Sequence, residues 1–407
     1  MKTLRTLMLI ACCVCWLGEA WCQKKEINAA KDQLKAGNNL PQAQQSLETL
    51  LKDSVNRNNL KIWSLLYDIV VKQYEQGNEK LYLKQAYDTA SLFNLAKKLF
   101  EVAEGLDSVE MEPDKKGRVR LKYRNDHSEY LHMIRPNLLS GGLWMIGKQR
   151  YAEAYRFLDI YIDCARQPLF KSKNYQETDP NLPEAAYWSV YCGYKMQDPK
   201  ATLHHSYEAL KDTAHYNYML QYLAETYKLE NDTARYERAL LEGFQVDPEF
   251  PFFYPRLIEF YTINNEVDKA MHVTEQALET DSTNTLFMFT KTTLLLNKEQ
   301  YDECIKLCNQ IIAMTDSVPG PYLNAGLAYY YKAIKLDKQT QVSNKVKKSI
   351  QSYYQKALPY MERYRAMVPN DQQRWAFPLY TIYLNLNMGA EFDEMEKIIK
   401  KQTNNKH

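Results

Sequence analysis

The feature that most constrains the fold of this chain is a set of small and apolar residues that recurs every 34 positions. One column of this repeat is formed by Thr202, Tyr236, Ala270 and Cys304, which are 34 residues apart. A second column is formed by Val190, Ala224, Ile258, Thr292 and Gly326. Further columns follow at spacings of three and four residues, which place side chains on one face of an α-helix. The pattern predicts an all-α chain built of amphipathic helix pairs joined by tight turns.

A 34-residue helix–turn–helix unit of this kind resembles the tetratricopeptide repeat (TPR) family. The likeness is clearest in one unit, with Tyr254, Ile258 and Tyr261 on the first helix and Ala270 and Ala277 on the second. The resemblance implies a right-handed superhelical solenoid of about eight TPR-type units. The insertions between units look most like those of exported TPR proteins of Gram-negative bacteria.

The repeat also predicts how the chain is divided. The expected segments are a signal peptide at 1–22, an N-terminal helical TPR-like region at 23–125, a TPR unit with an insertion at 126–182, four regular 34-residue units at 183–318, a second unit with an insertion at 319–371, and C-terminal capping helices at 372–407. The last helix is rich in charged residues, as expected for the end of an array that has no neighbour to cover it.

The first 22 residues have the pattern of an export signal. A short positive head precedes an apolar stretch over 7–17 that is too short to span a membrane, and Ala20 and Cys22 occupy the −3 and −1 positions of a signal-peptidase site. A second interpretation is lipidation at Cys12, because the residues before it resemble a lipobox. Both interpretations predict an exported protein, periplasmic or associated with the outer membrane, with no transmembrane segment.

Composition narrows the function further. The 52 Lys and Arg residues against 50 Asp and Glu give a formal net charge of +2, which argues against nucleic-acid binding. Tyrosine is unusually frequent, with 32 residues, and its side chain suits surfaces that are partly apolar and partly exposed to water. Cys304 and Cys308 fall at positions where the repeat takes small apolar residues, so we expect packing and not a metal or redox site.

No established catalytic motif is found in the sequence after residue 22. The segment from Gly142 to Lys148 has the spacing of a phosphate-binding loop, but Gln149 replaces the Ser or Thr, which favours helix packing. His204 and His205 are adjacent, and on a continuous helix they would diverge by about 100°, away from a common metal ion. We therefore expect no catalytic residues, no metal site and no cofactor. An enzyme with an unrecognised acid pair or a histidine in a deep pocket is the remaining alternative.

The TPR resemblance implies a concave groove lined by the first helices of the units. The groove-facing positions carried over unit by unit are Tyr187, Tyr191, Tyr194, Tyr222, Glu225, Arg256, Glu259 and Asn324. Aromatic and Arg side chains are frequent anchors of such contacts, although packing against a neighbouring helix is an open alternative for each tyrosine. Of the Lys/Asn/Arg clamp that some TPR domains use for a C-terminal carboxylate, only Arg256 matches. Capture of an acidic C-terminal tail is therefore not expected.

Seven Asp-(Ser/Thr) triplets resemble the sequon of an O-glycosylation system of exported bacterial proteins. Their hydroxyl residues are Ser54, Thr89, Ser108, Thr213, Thr233, Ser282 and Ser317. The alternative is that Asp, Ser and Thr are favoured at helix starts.

Taken together, the sequence predicts a non-enzymatic scaffold or assembly factor of the bacterial cell envelope that binds a protein or peptide partner. The alternative is a glycan- or peptidoglycan-associated binding module that uses a Tyr-rich groove.

Overall fold

The structure is a computed structural model that describes residues 23–338 and 343–404. Within these ranges the regular elements are helices and no strand is present, which confirms the all-α prediction. The predicted signal peptide and the candidate lipidation site Cys12 lie outside the described residues. None of the helices described is both long enough and apolar enough to cross a membrane.

The helices follow one another with short connections. In chain order they are α1 (23–36), α2 (Leu40–Lys52), α3 (Leu60–Tyr82), α4 (Thr89–Glu110), α5 (Arg124–Ile134), α6 (Pro136–Gly147), α7 (Tyr151–Asp163), α8 (Tyr175–Thr178), α9 (Leu182–Lys195), α10 (Pro199–His204), α11 (Ser206–Ala209), α12 (Tyr216–Leu229), α13 (Thr233–Val246), α14 (Phe253–Ile263), α15 (Val267–Thr280), α16 (Thr285–Asn297), α17 (Tyr301–Met314), α18 (Pro319–Asp337), α19 (Asn344–Met367), α20 (Gln372–Asn385) and α21 (Gly389–Asn404). Two 3₁₀ helices lie at Pro168–Lys173 and Thr213–His215.

The turns inside the regular hairpins share one backbone geometry. Each has a residue in the left-handed region, and these residues are Gln197, Asn231, Asn265 and Glu299, with φ of 55°, 57°, 58° and 59°. In the turn after α14, the N–H of Glu266 donates to the carbonyl of Tyr261 at 2.7 Å, which satisfies an end carbonyl of the helix. Because these turn residues are again 34 positions apart, the sequence period is a structural period. The prediction of TPR-type hairpins is confirmed.

Two glycines allow the helices of their hairpins to cross closely. A Cβ built on Gly193 of α9 would clash with the backbone nitrogen of Thr202 in α10. A Cβ on Gly142 of α6 would lie 2.8 Å from Leu158 Cγ in α7. The loop-like Gly142 segment is therefore helical and packed, and the helix-packing interpretation of this motif is confirmed.

The chain divides into two compact units, Met1–Tyr236 and Glu237–His407, with the boundary inside α13. The first unit has a continuous apolar core drawn from helices on both sides of α5. The second has a core that includes residues of α18, α19 and α20. The segment boundaries at 125, 182, 318 and 371, the number of repeat units and the superhelical hand stay predictions.

The insertion before α9 is ordered around a buried ion pair. Arg135 Nη1 lies 2.6 Å from Asp179 Oδ2, and the side chains of these residues are only 5% and 7% exposed. The guanidinium lies between the rings of Tyr161 and Tyr175, at 3.7 and 3.8 Å from their centroids. Asp179 Oδ1 also accepts the N–H of Asn181 at 3.0 Å. The pair therefore fixes the start of α9, which carries three of the predicted groove residues.

Candidate functional site

Six rings from α9, α12 and the segment before α12 form one group in the first compact unit. We call this group the aromatic cluster, and its members are Tyr187, Trp188, Tyr191, Tyr194, His215 and Tyr222. The three tyrosines of α9 follow at spacings of four and three, so they lie on one face of the helix. That face meets α12, which packs beside α9.

Tyr222 is the centre of the aromatic cluster. Its ring centroid lies 4.6 Å from that of Tyr194, 5.8 Å from Tyr191 and 6.1 Å from Tyr187. The ring of Tyr194 stacks on it with an interplanar angle of 25°. Contacts of this length are favourable aromatic pairs. The structure therefore brings together four of the eight predicted groove residues.

The aromatic cluster has a buried layer and an accessible layer. Tyr187 and Tyr222 are buried, which fits the packing alternative for these two side chains. Trp188, Tyr191 and Tyr194 are half-buried, so part of each ring reaches solvent. Half-buried rings over a rigid base are suited to bind a ligand with little loss of side-chain freedom.

Two members of the aromatic cluster were not predicted from the sequence. The ring of His215 stacks on Tyr187 at 4.2 Å, and His215 Nδ1 lies 2.7 Å from Asp212 Oδ2. Trp188 Nε1 donates to Glu184 Oε1 at 3.3 Å. Trp188 lies four residues after Glu184 on α9, a helical spacing that offered a signal. His215 lies in a short segment before α12, where no periodicity identifies it.

Burial moves three tyrosine hydroxyls of the aromatic cluster further from ionisation. Burial raises the pKa of Tyr187, Tyr191 and Tyr222 above the ordinary tyrosine value. These hydroxyls are therefore neutral at physiological pH and can both donate and accept hydrogen bonds. Lys195 Nζ lies 5.3 Å from the centroid of Tyr191 and 5.8 Å from that of Tyr194, which adds a positive charge at one edge of the aromatic cluster.

The other predicted groove residues lie elsewhere. Glu225 follows Tyr222 by three positions on α12 and is half-buried. Arg256 and Glu259 share α14 in the second compact unit, where the Arg256 guanidinium carbon lies 3.7 Å from the Phe252 ring centroid and Glu259 is exposed.

Asn324 is a packing residue of the second compact unit. Its side chain is buried, and its amide nitrogen donates to Thr292 Oγ1 at 2.8 Å and to Thr293 Oγ1 at 3.0 Å. These bonds join α18 to α16. The side chain of Asn324 therefore points between helices and not to an open surface.

A second group of functional side chains lies between α7 and α10. Helix α10 ends at His204, and His205 has φ −108° and ψ 14° before α11 begins. His204 Nδ1 lies 3.3 Å and His205 Nε2 2.7 Å from Asp159 Oδ1 on α7. The expectation that the two imidazoles diverge is wrong, because it assumed an unbroken helix.

The Asp-(Ser/Thr) triplets lie mostly at exposed helix starts and turns. Of the seven hydroxyl residues, Thr89 is half-buried and the others are exposed. Asp88 accepts the N–H groups of Ala90 and Ser91, and Asp281 accepts that of Thr283, so these carboxylates do cap local backbone. Ser108 instead lies inside α4, away from its start. Glycosylation stays a prediction.

The cysteines of the described residues are buried and form no disulfide. Cys304 Sγ and Cys308 Sγ are 4.0 Å apart on one face of α17. The pKa of the Cys308 thiol is raised by its hydrogen bond with Cys304 and by burial. Burial also raises the pKa of Cys192 to about 12. The thiols of Cys192 and Cys308 are therefore protonated, and all four cysteines are buried, which fits the packing interpretation.

Comparison with known proteins adds only distant likenesses. No family model and no curated protein matches the chain. Among solved structures, the chain is similar to the C-terminal part of a TPR repeat-containing protein from Cytophaga hutchinsonii, at 11% identity and a TM-score of 0.43, over 64% of this chain and 93% of that one. It is also similar to YrrB, described as a TPR protein with an unusual peptide-binding site, at 14% identity and a TM-score of 0.35, over 49% and 92%.

A third similar structure is the TPR domain of P58(IPK), at 13% identity and a TM-score of 0.26, over 93% of this chain and 98% of that one. At such values the fold is assigned by the chain's own geometry, which consists of helical hairpins whose turn residues recur every 34 positions. The fold of this chain is that of the tetratricopeptide repeat family.

Proposed function

We propose that this chain is a non-enzymatic scaffold or assembly factor of the bacterial cell envelope that binds a protein or peptide partner through the aromatic cluster. The observation that supports this function is the accessible layer of Trp188, Tyr191 and Tyr194 above the buried rings of Tyr187 and Tyr222. Rigid aromatic side chains of this kind dominate the energetics of protein recognition.

The chemistry of the aromatic cluster indicates what the partner presents. The half-buried rings favour apolar or aromatic side chains, and the neutral hydroxyls favour backbone amides and carbonyls. Lys195 beside Tyr191 and Tyr194 favours an acceptor group at that edge. A short peptide segment or a partner's helix with exposed apolar residues satisfies all three features.

The decisive experiment is a crosslinking pull-down from the native envelope. The double variant Tyr191→Ala with Tyr194→Ala removes two half-buried rings and leaves the buried side chains of Tyr187 and Tyr222 in the sequence. The matched control is Tyr82→Ala with Tyr207→Ala, because these two tyrosines are 84% and 78% exposed and lie outside the aromatic cluster. We expect a partner that the wild type and the control capture and that the cluster variant loses. Equal capture by all three proteins would refute the role of the aromatic cluster.

The envelope location rests on the N-terminal sequence pattern. Mass spectrometry of the mature protein from native membranes and periplasm separates the two routes. Cleavage by signal peptidase gives a mature chain that starts at Gln23, whereas lipidation gives a chain that starts at a modified Cys12. An unprocessed chain in the cytosol would contradict both.

A glycan- or peptidoglycan-associated function is the second candidate. The T-shaped arrangement of Trp188 and Tyr191, with an interplanar angle of 87°, offers aromatic faces on which a sugar ring can stack. Binding to a glycan array that disappears in the Tyr191→Ala, Tyr194→Ala variant would favour this candidate over a protein partner. Tyr187 is unsuitable for this test, because it is buried and its loss would disturb the core.

Envelope export also motivates the glycosylation proposal. Intact-mass and peptide analysis of the native protein should show hexose on exposed triplet hydroxyls such as Ser54, Thr213 and Ser317. The absence of hexose on all seven triplets would remove this proposal and leave helix capping as their role.

A further inference from the structure

We propose that Asp159, His204 and His205 form a binding site for a divalent transition-metal ion of the Zn²⁺ type. The possible ligand atoms of these three residues all lie within 4.8 Å of one another. The site joins α7 to the break between α10 and α11 within the first compact unit. It is separate from the aromatic cluster and does not depend on the proposed function.

The distances suit a small ion. In a tetrahedral zinc site the metal–ligand bonds are about 2.0–2.2 Å, which places neighbouring ligand atoms about 3.3 Å apart. The distance from His204 Nδ1 to Asp159 Oδ1 is 3.3 Å, and that from His205 Nε2 to the same oxygen is 2.7 Å. The two nitrogens lie within 4.8 Å of each other, so binding of one ion requires the imidazoles to move closer together as well as the carboxylate to turn.

The site combines one buried ligand with two ligands that are accessible to solvent. His205 is only 1% exposed, and its Nδ1 has no hydrogen-bond partner within the described part of the chain. The side chains of Asp159 and His204 are 30% and 48% exposed, so an ion can enter from solvent and retain water in its remaining position. Tyr155 Oη lies 3.0 Å from His204 Nδ1 in a hydrogen bond, which a metal ion bound to that nitrogen would replace.

The surroundings add negative charge. Asp163 follows Asp159 by one turn of α7, and its charge interacts with Asp159 and with both histidines. Arg166 is a further positively charged group that interacts with the Asp163 carboxylate. A bound cation would offset this accumulated negative charge.

The ligand types select the class of ion. Two imidazoles and one carboxylate suit Zn²⁺ and its neighbours in the first transition series, whereas Ca²⁺ and Mg²⁺ prefer sets made of oxygen ligands. The break at His205 gives the site a structural origin, because α10 ends at His204 and both adjacent imidazoles contact the Asp159 carboxylate.

Calorimetric titration with ZnCl₂ tests the proposal, using the full chain without a histidine tag. We expect one Zn²⁺ per chain and a higher temperature of unfolding for the loaded protein. The variants His204→Ala and Asp159→Asn change partly exposed side chains, so both should fold, and each should weaken binding by about tenfold or more. His272→Ala is the matched control, because His272 is an exposed histidine on α15 in the second unit.

Three results would overturn the proposal. They are no saturable binding by wild type, unchanged affinity in His204→Ala and Asp159→Asn, or a loss of affinity in His272→Ala as large as in His204→Ala. Circular dichroism of each variant verifies that a loss of binding does not reflect unfolding. The partner pull-down with the Tyr191 and Tyr194 variants is a separate measurement, so either proposal can fail alone.

Discussion

The buried ion pair between Arg135 and Asp179 gives the sharpest stability prediction. Replacing Asp179 by Ala leaves the guanidinium of Arg135 in a site where it is only 5% exposed. The substitution also removes the acceptor of the Tyr161 hydroxyl, which lies 2.8 Å from Asp179 Oδ2, and the acceptor of the Asn181 N–H at the start of α9. The substitution therefore leaves a buried charge without its partner and loosens α9, which carries four of the six rings of the aromatic cluster.

The expected magnitude follows from these contacts. Removing one partner of a buried ion pair typically costs about 3–5 kcal/mol of the free energy of unfolding. The rings of Tyr161 and Tyr175, at 3.7 and 3.8 Å from the guanidinium, and the Tyr161 carbonyl, 2.9 Å from Arg135 Nη2, continue to stabilise the cation in the variant. We therefore expect the lower end, about 3 kcal/mol, or a fall of about 6–12 °C in the melting temperature of a unit of this size.

Urea unfolding followed by tryptophan fluorescence measures this change. Of the tryptophans in the described residues, Trp63, Trp144 and Trp188 belong to the first compact unit and only Trp375 to the second, so the signal reports mainly the first. The double variant Arg135→Met with Asp179→Ala should lose less than the sum of the two single variants, because the second substitution removes the stranded charge. A loss below about 1 kcal/mol for Asp179→Ala, or strict additivity, would refute this reasoning.

Three further predictions follow from the same structure. Gly193→Ala should destabilise the first unit by about 1–3 kcal/mol in thermal unfolding, because the added Cβ would clash with backbone. Gly147→Ala is the control and should be neutral or stabilising, because a Cβ there has no neighbour within 4 Å. Equal losses in the two variants would contradict this account. The pKa of Glu104 is about 7 in the folded state and about 4.3 in the unfolded chain. Between these pH values the folded protein keeps a proton that the unfolded chain releases. The free energy of unfolding therefore falls as pH rises through this range. Glu104→Gln should remove this fall and gain about 2–3 kcal/mol more in urea unfolding at pH 8 than at pH 4, and an equal gain at both pH values would contradict the burial argument. The four buried cysteines should react with a thiol reagent only in denaturant, and rapid labelling of the native protein would show that their burial is wrong.

The regular part of the fold was predictable because it depends on local spacing. The residues at Ala270 and Cys304 are buried as the 34-residue columns require, and the turns recur with them. The same columns concealed the break at His205, because Thr202 and Ser206 keep their helical spacing on either side of it. The break was therefore invisible in the periodicity, and with it the contact of both histidines with Asp159.

At the candidate site, helical spacing again predicts some side-chain positions and not others. Helical spacing correctly placed Tyr187, Tyr191 and Tyr194 on one face of α9. Helical spacing also placed Asn324 at an equivalent groove-facing position. Its side-chain amide instead donates hydrogen bonds to two threonines on α16, so the side chain lies between helices. Register fixes the helix face on which a residue lies, whereas the neighbouring helix decides whether that side chain is covered.

Site-specific photocrosslinking at the aromatic cluster tests the central claim most directly. A benzophenone amino acid in place of Tyr191 or Tyr194, in cells that export the protein, should give one discrete crosslinked partner. The same amino acid in place of Tyr82, which is 84% exposed and distant in sequence, should give none. Crosslinks at Tyr82 that equal those at Tyr191, or none at either cluster position, would contradict a binding role for this face of the first compact unit.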